Sequence, residues 1–461
     1  MPTDMRSWIK QLESAGELCR VRKPVDPRTQ MGALLYQSRE RALLFENLKG
    51  HPGWRALGNA PANLRHAALA FGVPLDRLVP TVAQKLGSRL PCETVTSAPV
   101  KEMKQFGNEV DLNALPIHVS GERDAAPFIS SGLCVTKNPE TGKRNVSFHR
   151  LQLKGRNRTG ALIVPRHTFA NLQKYEARNE AMPIAAFIGH HPLVYMAAAT
   201  TLAYGEDEFE VAGGYLGEPL RLVKCETLDL EVPADAEIVL EGHILPHVRE
   251  EEGPFAEFHD YYVGGFGKSP VVEWHAITRR SDAIFRNIQN GSEMEGCIFH
   301  KVPMSAAIFR RLQNIGGYVD LKNVLVLPGI FTVVVQLSQR YRGEAKNVLL
   351  GALSSEYFHP KIAIAVDEDV DVFNPGDILW ALSTRVDPEK DIAVIPGVRT
   401  HPMDPTGDVL GEVGTSGWQR LGSKVIIDAT RPPLNEPERR KVFDRIRPPG
   451  FGAIKLEDFL D

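Results

Sequence analysis

Apolar positions in residues 1–95 follow first a helical and then a strand period. Trp8, Ile9 and Leu12 are spaced to share one face of a helix that ends at Gly16. The run RALLFENLKG is typical of a short apolar strand followed by a turn. These patterns predict an N-terminal α/β domain, which ends near the proline-punctuated segment LPCETVTSAPVKEM.

Residues 96–295 change to short stretches in which apolar and polar positions alternate. The segments with this strand period are GLCVTKN, NVSFHRLQLKG, TGALIVP, AAFIGHH, LRLVKCETLDLEVP, EIVLEGHILP and PVVEWHAITRR. Two helical segments, HTFANLQKYEARNEA and PLVYMAAATTLAYG, interrupt them. Many short strands separated by turns predict an antiparallel barrel or sandwich as the central domain.

Residues 296–461 return to an α/β pattern. SAAIFRRLQNI is predicted as a helix, GIFTVVVQLS and KIAIAVDEDVDV as strands, and NPGDILWALSTRV as a turn followed by a helix. Asn435 is predicted to cap a last helix, NEPERRKVFDRI, with Pro437 in its first turn. Two packings of this amphipathic helix are open, against its own domain or against a second subunit.

Composition narrows the class of protein. The 461 residues are 43% hydrophobic and 24% charged with a formal net charge of -3, so nothing indicates a nucleic-acid partner. No secretion signal and no run of about 18 apolar residues occurs, which excludes a membrane span. Five scattered cysteines without a CxxC pair indicate reduced thiols in a cytoplasmic protein. GxSxG, P-loop and GxGxxG motifs are absent.

The segment EEGPFAEFHD places two acids, Glu252 and Glu257, on either side of a stiff Gly253–Pro254 pair. One interpretation is a solvated loop. The other is a proton-handling site, in which repulsion between neighbouring carboxylates raises one pKa and an arginine keeps the other acid ionised. Phe255 and Phe258 would keep such a site dry.

The segment NVSFHR carries polar side chains on both faces of a predicted strand. Asn145, Ser147 and His149 share one face, and Arg150 lies on the other. An edge strand with one wet face explains this pattern as well as a functional strand does.

Asn145, His167 and Glu208 together would offer oxygen, nitrogen and oxygen ligands that suit Mn²⁺ or Mg²⁺. Their spacing is not a metal motif, and each has a plain alternative. His167 could be a structural histidine at the start of a helix, where backbone N–H groups also bind anions. Glu208 lies among four acids in YGEDEFEVAGG, a pattern typical of a solvated turn.

Long stretches of the chain resemble the UbiD-like decarboxylases. The resemblance rests on NVSFHR, IVPRHTF, EVAGGYLGEPLRLVKCETLDLEVPADAEIVLEG, EEGPFAEFHDYY and DILWALSTRVDP, in order and over nearly the whole chain. It implies a reversible decarboxylase of an aromatic, heteroaromatic or α,β-unsaturated acid that uses prenylated FMN. In this family a covalent substrate–cofactor adduct loses CO2 and is then protonated by a glutamate.

The resemblance also implies a role for each candidate residue. Glu252, Arg150 and Glu257 match the family's catalytic Glu–Arg–Glu trio, with Glu257 as the proton donor. Asn145, His167 and Glu208 match the ligands of Mn²⁺, which binds the flavin phosphate beside a K⁺ ion. The implied cofactor-lining positions are Asn145, Val146, Ser147, Phe148, His149, Arg150, Arg166, His167 and Glu208.

For the fold, the resemblance implies an N-terminal α/β piece, a split β-barrel that binds the flavin, and a C-terminal α/β domain that builds a homodimer or homohexamer. A flavin prenyltransferase would supply the cofactor. The chain departs from some relatives, which have a lysine near the flavin where this chain has Ser354 and Ser355.

The substrate loop NGSEMEGCIFHKVP also differs, which leaves the substrate open. Met294, Ile298 and His300 are predicted to face the substrate, or else to form a hinge loop packed on its own domain. Arg310 and Arg311 could bind a second anion, although a solvated helix face fits them better. An aryl-CoA thioester or furan dicarboxylate decarboxylase, a non-catalytic flavin-binding homologue and a metal-dependent hydrolase remain alternatives.

Overall fold

The computed structural model describes residues 3–263, 267–316, 318–411 and 419–460. The α-helices are α1 Met5–Ser14, α2 Gly32–Gln37, α3 Leu64–Phe71, α4 Leu78–Lys85, α5 His167–Glu176, α6 Pro192–Ala198, α7 Glu208–Leu216, α8 Glu295–Leu312, α9 Glu344–Leu353, α10 Pro375–Arg385, α11 Pro388–Asp391 and α12 Pro437–Lys441. Shorter helical turns are Pro27–Met31, Leu75–Arg77, Pro99–Lys101, Gly107–Glu109, Leu112–Ala114 and Leu456–Phe459.

The strands form four sheets. In chain order they are β1 Leu18–Val21, β2 Ala42–Phe45, β3 Arg55–Gly58, β4 Glu93–Val95, β5 Met103–Phe106, β6 Phe128–Ile129, β7 Leu133–Lys137, β8 Arg144–Phe148, β9 Leu151–Leu153, β10 Arg158–Ala161, β11 Met182–Ile188, β12 Arg221–Lys224, β13 Glu231–Pro233, β14 Ile238–Glu251, β15 Lys268–Arg279, β16 Ile284–Arg286, β17 Leu321–Val326, β18 Thr332–Leu337, β19 Ile362–Val366, β20 Ile392–Thr400, β21 Asp408–Leu410 and β22 Gln419–Ala429.

The first sheet has the order β1-β2-β3-β16, so its last strand comes from the far end of the central region. β16 pairs with β3 in parallel, with Phe285 opposite Ala56. Helix α1 packs beside this sheet. Its N-cap, Asp4, accepts the backbone N–H of Ser7 and satisfies a donor that a helix start leaves unpaired.

The central sheet has nine strands in the order β6-β9-β10-β15-β14-β11-β7-β8, with β5 added on β15. All of its pairings are antiparallel. The long pair β14–β15 shifts register between Glu241 and Gly242, a bulge of the kind that increases twist. The sheet curls into a half-barrel, which confirms the fold class predicted above. β8 is an edge strand of this sheet, so one side of residues 144–148 is left for the cavity described below.

The third and fourth sheets complete the chain. β13, β12 and β4 form a small sheet, in which β4 pairs with β12 in parallel. The last sheet has the order β17-β18-β19-β22-β20, with β21 added on β22. Its central strands β18, β19 and β22 are parallel, and apolar side chains such as Val334 and Ile364 pack in the core beneath α10.

A single large core crosses the three predicted domains. Trp8 from α1, Tyr195 from α6 and Phe299 from α8 are all fully buried in the same apolar cluster. The predicted boundaries at residues 95 and 295 therefore separate segments that pack closely together. Those boundaries stay a prediction.

Two helices differ from the sequence prediction. α8 begins ten residues before SAAIFRRLQNI and contains Pro303, which is normally unfavourable inside a helix. Burial on all sides compensates, because every residue from Cys297 to Phe299 and from Lys301 to Phe309 is buried. The last helix is shorter than predicted and begins after Glu436, so Asn435 does not cap it.

The five cysteines form no disulfide within the described residues. In the same residues, no helix combines the length and the apolar character that crossing a membrane requires.

Candidate active site

A cavity of about 480 Å³ lies where the central sheet meets the C-terminal region. Its wall includes the edge strand β8, the starts of α5 and α7, the segment 255–258 and His300 on α8. Residues 356–359 and His401 contribute from the C-terminal region. The volume falls within the range of cavities that hold small ligands and cofactors.

Arg150, Glu252 and Glu257 meet at the wall of this cavity. The guanidinium of Arg150 donates from Nε and Nη2 to the two carboxylate oxygens of Glu252, at 2.7 and 2.6 Å, and from Nη1 to Glu257. All three side chains are at most 7% exposed. The ring of Phe255 lies 4.9 Å from the guanidinium and shields it from solvent. Residues more than 100 positions apart thus form one charged group.

Burial is the main cause that raises the pKa of Glu257, Arg150 lowers it and the nearby charge of Glu252 raises it, with a net value of about 7. Repulsion between the two acids, the cause expected from the sequence, is therefore smaller than the effect of burial. Burial also disfavours the charged form of Arg150, but the two carboxylates outweigh it and raise the pKa of the guanidinium. Glu257 can hold a proton near neutral pH beside a permanent cation.

Backbone contacts hold the segment between the two glutamates. Gly253 has φ +82°, a conformation that favours glycine, and its N–H donates to Oε1 of Gln152 at 3.1 Å. The N–H of Ala256 donates to Oδ1 of Asp124 at 2.7 Å, and the other oxygen of Asp124 accepts the N–H groups of Ser120 and Gly121. Asp124 was not identified from the sequence, since its contact with this segment arises only in the folded chain.

Asn145, His167 and Glu208 line the same cavity from β8, α5 and α7. Glu208 is buried and accepts the backbone N–H of Val146 at 2.8 Å, and within the described residues it forms no ion pair. Burial raises the pKa of Glu208 to about 8 and outweighs the hydrogen bond from Val146, which acts in the opposite direction. Burial lowers the pKa of His167, which keeps the imidazole neutral as a metal ligand must be. These residues fit a cation site.

A hydrogen-bonded row of side chains supports the β8 edge. Asn145 donates to Ser147 Oγ at 3.2 Å and to Thr168 Oγ1 at 3.0 Å, and His149 Nε2 lies within 3.0 Å of both hydroxyl groups. Because Nδ2 of Asn145 donates to both hydroxyl groups, the carbonyl oxygen is the atom of this amide that could bind a cation. Thr168 is a further residue that the sequence did not indicate.

Arg166 also lines the cavity, directly before His167 in the chain. Its Nη1 donates to Thr201 Oγ1 at 2.8 Å, and among the described residues it pairs with no carboxylate. A guanidinium that opens to a cavity beside a helix start suits a phosphate group. Val146, Ser147, Phe148 and His149 line the cavity as well. Every residue that the resemblance assigned to the cofactor therefore reaches this cavity.

Only one of the three predicted substrate residues lines the cavity. His300 lines the cavity, whereas Met294 and Ile298 are buried outside its wall. Ile298 belongs to the large core, and Met294 precedes the first turn of α8. The difference follows from the helix: residues 295–303 form part of α8 rather than a loop, so only one face of this segment points to the cavity. Two histidines that the sequence did not indicate, His359 and His401, join His300.

Three family models match successive parts of the chain. The N-terminal, Rift-related and C-terminal domains of 3-octaprenyl-4-hydroxybenzoate carboxy-lyase match residues 9–86, 93–293 and 297–429. The chain belongs to the UbiD family. This confirms the resemblance seen in the sequence motifs.

Similar proteins support the same assignment. A phenolic acid decarboxylase from Sedimentibacter hydroxybenzoicus is 34% identical to this UbiD-family chain, over 99% of the chain and 97% of the relative. The UbiD-class enzyme HmfF from Pelotomaculum thermopropionicum, solved in complex with FMN, is 36% identical with a TM-score of 0.90, over 99% of this chain and 100% of that one. An evolved dimeric form of HmfF, solved with prenylated FMN, is 35% identical with a TM-score of 0.87 over the same shares. The present chain is thus a decarboxylase, a carboxy-lyase.

Proposed function

We propose that this UbiD-family protein is a prenylated-FMN-dependent, reversible decarboxylase of an aromatic or heteroaromatic carboxylic acid. The observation that carries the proposal is the buried Arg150 held between Glu252 and Glu257 at the wall of a cavity of about 480 Å³. The relatives support it, since they include a phenolic acid decarboxylase and an enzyme solved with prenylated FMN.

Asn145, His167 and Glu208 would bind Mn²⁺, with K⁺ nearby, and the metal and Arg166 would hold the flavin phosphate. The donor set of amide oxygen, imidazole and carboxylate suits Mn²⁺ or Mg²⁺. When bound, prenylated FMN supplies the electron-accepting centre that makes loss of CO2 feasible. A flavin prenyltransferase is the proposed source of the cofactor.

The protein's own residues handle charge and protons. Arg150 attracts the substrate carboxylate and keeps Glu257 in place through the Nη1 contact. Glu257 donates the proton that replaces CO2 on the substrate carbon, as a general acid with a pKa of about 7 can. Glu252 fixes the guanidinium through two hydrogen bonds, and Phe255 excludes water. In the direction of CO2 addition, Glu257 accepts the proton instead.

The test uses protein produced together with a flavin prenyltransferase. Its ultraviolet–visible spectrum should show bound flavin, and a panel of aryl and heteroaryl acids should include at least one that releases CO2. The products incubated in D2O with bicarbonate should exchange one ring hydrogen for deuterium. A flavin-loaded protein that neither releases CO2 nor exchanges hydrogen across the panel would be a binding homologue and would overturn the proposal.

The rate of decarboxylation should depend on pH through Glu257. Its raised pKa of about 7 means that the proton-donating form predominates below pH 7 and disappears above it. We expect kcat to fall by about tenfold per pH unit well above pH 7 if proton donation limits the rate. Stopped-flow or steady-state rates between pH 5 and 9 measure this, and a kcat that rises through the same range contradicts it.

The variant His167→Ala should lose the metal and the flavin together. The imidazole is one of only three proposed protein ligands, and its loss leaves the buried carboxylate of Glu208 without the full cation site. Elemental analysis and flavin absorbance of the purified variant measure both losses. His275→Ala is the matched control, since His275 stacks on His243 outside the cavity. Stoichiometric Mn²⁺ in the His167→Ala variant would reject the ligand assignment.

A homodimer or homohexamer built through the C-terminal domain is also proposed. Apolar side chains are exposed after α12, with Val442 at 82% and Ile446 at 99% exposure. Such side chains are expected to be covered by a second copy. Light scattering of the full chain gives the mass, and a monomer at micromolar concentration would contradict this part of the proposal.

A further inference from the structure

The acid hairpin, defined here as residues 256–262, carries the proposed proton donor near its start. Its ends pair through an antiparallel bridge between Ala256 and Tyr262. Within it, the N–H of Asp260 donates to the carbonyl oxygen of Glu257 at 3.1 Å, and Asp260 closes the turn in the left-handed region with φ +65°. Glu257 belongs to no regular strand or helix, so its position depends on what holds this hairpin.

His259, in the turn of the acid hairpin, connects it to the C-terminal region. Its Nε2 lies 2.9 Å from the carbonyl oxygen of Met403, which is 144 positions away in the chain. A carbonyl oxygen can only accept, so Nε2 carries the proton and donates. His259 is 4% exposed, and a hydrogen bond that is buried in this way is costly to lose. The hairpin is thus held by a part of the chain that supplies none of the proposed catalytic residues.

The loop that carries the Met403 carbonyl is itself held in place. Oδ1 of Asp404 accepts a hydrogen bond from Nζ of Lys361 at 2.9 Å, and Nε of Arg420 donates to the carbonyl oxygen of Pro402 at 2.8 Å. Lys361 directly precedes β19, and Arg420 lies in β22. The residues on both sides of Met403 are therefore anchored to the last sheet, which gives the hairpin a fixed acceptor.

Packing around His259 restricts the imidazole ring. Its centroid lies 5.7 Å from that of Phe331, which directly precedes β18, and 5.0 Å from that of Phe258. Phe258 in turn packs against a small apolar cluster made of Leu162, Val263 and Met403. The two residues that follow Glu257 therefore both contact the C-terminal region, whereas Glu257 itself contacts Arg150.

His259 acts on Glu257 through position rather than through charge. Burial lowers the pKa of the imidazole, against its hydrogen bond to the carbonyl and two nearby acids, Asp260 and Asp404, which raise it. The ring is therefore neutral near pH 7, and its Nδ1 is buried without a hydrogen-bond partner among the described residues. The charged groups that act on the pKa of Glu257 are Arg150, Glu252 and Asp124.

We propose that His259 is a positioning residue, whose hydrogen bond to the Met403 carbonyl fixes the acid hairpin and thereby sets where the carboxyl group of Glu257 meets the substrate. This inference rests on the proposed function and deepens it. His259 is absent from the described wall of the cavity, so it acts through Glu257 and not by touching the substrate. Geometry of this kind matters, because a displacement of about 1 Å can reduce a rate by about 100-fold.

The first experiment compares two variants of the cofactor-loaded protein. His259→Phe keeps an aromatic ring but removes the donor, and we expect kcat to fall by about 10–100-fold while KM changes by less than about threefold. His259→Gln can place an amide N–H near the position of Nε2 and should recover most of this loss. Both variants should keep the flavin content of the parent protein. His275→Phe is the matched control and should leave kcat unchanged, since His275 stacks on His243 outside the cavity wall.

A second measurement follows Glu257 without turnover. The infrared band of its protonated carboxyl group, identified by its loss in Glu257→Gln, is titrated between pH 5 and 9. Burial is the main cause of the raised pKa, so a looser hairpin that admits water should lower the midpoint in His259→Phe by about half a pH unit or more. His259→Gln should return the midpoint toward the parent value of about 7. The pH at which kcat begins to fall should move in the same way.

The outcomes separate the hydrogen bond from the fold and from the proposed function. An unchanged kcat and midpoint in His259→Phe overturn the proposal, as does identical behaviour of His259→Gln and His259→Phe. If His259→Phe melts at a much lower temperature, His259→Asn takes its place, because its shorter amide does not reach the Met403 carbonyl. If the parent protein releases CO2 from no acid, the proposed function fails, whereas a shifted infrared midpoint still supports the role of His259.

Discussion

Glu257→Gln is expected to reduce decarboxylation by about 10²–10⁴-fold while the flavin and the metal remain bound. The glutamine keeps the size of the side chain and can still contact Arg150, but it cannot donate the proton that replaces CO2. Glu257 suits the proposed role of proton donor, because burial is the main cause of its raised pKa of about 7. Turnover of the best acid from the substrate panel, with flavin absorbance as the measure of cofactor content, tests this.

Two comparisons make the result specific. Glu250→Gln is a matched control, since the side chain of Glu250 is 34% exposed in its ion pairs with Arg158 and Lys154. It should retain nearly normal turnover. Deuterium exchange into the product should fall in the Glu257 variant by a similar factor, because exchange requires the same proton transfer. Near-normal turnover with full cofactor content would show that another group donates the proton.

Arg150→Met should destabilise the protein by about 3–5 kcal/mol and abolish turnover. The substitution leaves the buried carboxylates of Glu252 and Glu257 without their cation, since both acids are at most 5% exposed. The loss in the free energy of unfolding should be smaller at pH 5 than at pH 8. At the lower pH Glu257 can bind a proton in the folded variant, and stability then falls as the pH rises from the ordinary pKa of a glutamate through the raised pKa of Glu257.

Urea unfolding of the variant and the parent protein at both pH values measures the effect. Arg158→Met is the matched control, because Arg158 is 37% exposed and pairs with Glu250 and Glu273 at the surface. Removing it should change stability by less than about 1 kcal/mol. If both variants lose the same stability, or if the loss in Arg150→Met does not depend on pH, then removing Arg150 does not leave an uncompensated charge on Glu252 and Glu257.

Some of this site could be predicted because local patterns and family motifs coincide. The pattern of NVSFHR fits either an edge strand or a functional strand, and the structure shows an edge strand, β8, that also lines the cavity. The EEGPFAEFHD segment places its acids by local geometry, through the positive φ of Gly253. The spacing of Asn145, His167 and Glu208 is no metal motif, so their assignment as ligands depends on the resemblance and stays a prediction.

Other parts depend on long-range packing and could not be predicted. Pro303 argues locally against a helix, yet burial stabilises α8 across it, and this helix leaves Met294 and Ile298 outside the cavity wall. Asp124 and His401 carry no motif, and each reaches the site from more than 130 positions away from Ala256 or Glu257. Burial, rather than sequence neighbours, is also the main cause of the raised pKa of Glu257.

The pairing of β16 with β3 limits which fragments of this enzyme can fold on their own. Since residues 284–286 close the first sheet, a fragment that stops before them would leave the backbone of Arg55–Leu57 without hydrogen-bonding partners on that edge. Exposed edges of this kind recruit other chains, so such a truncation invites aggregation rather than an isolated folded unit. The first sheet is therefore complete only when residues 284–286 are present.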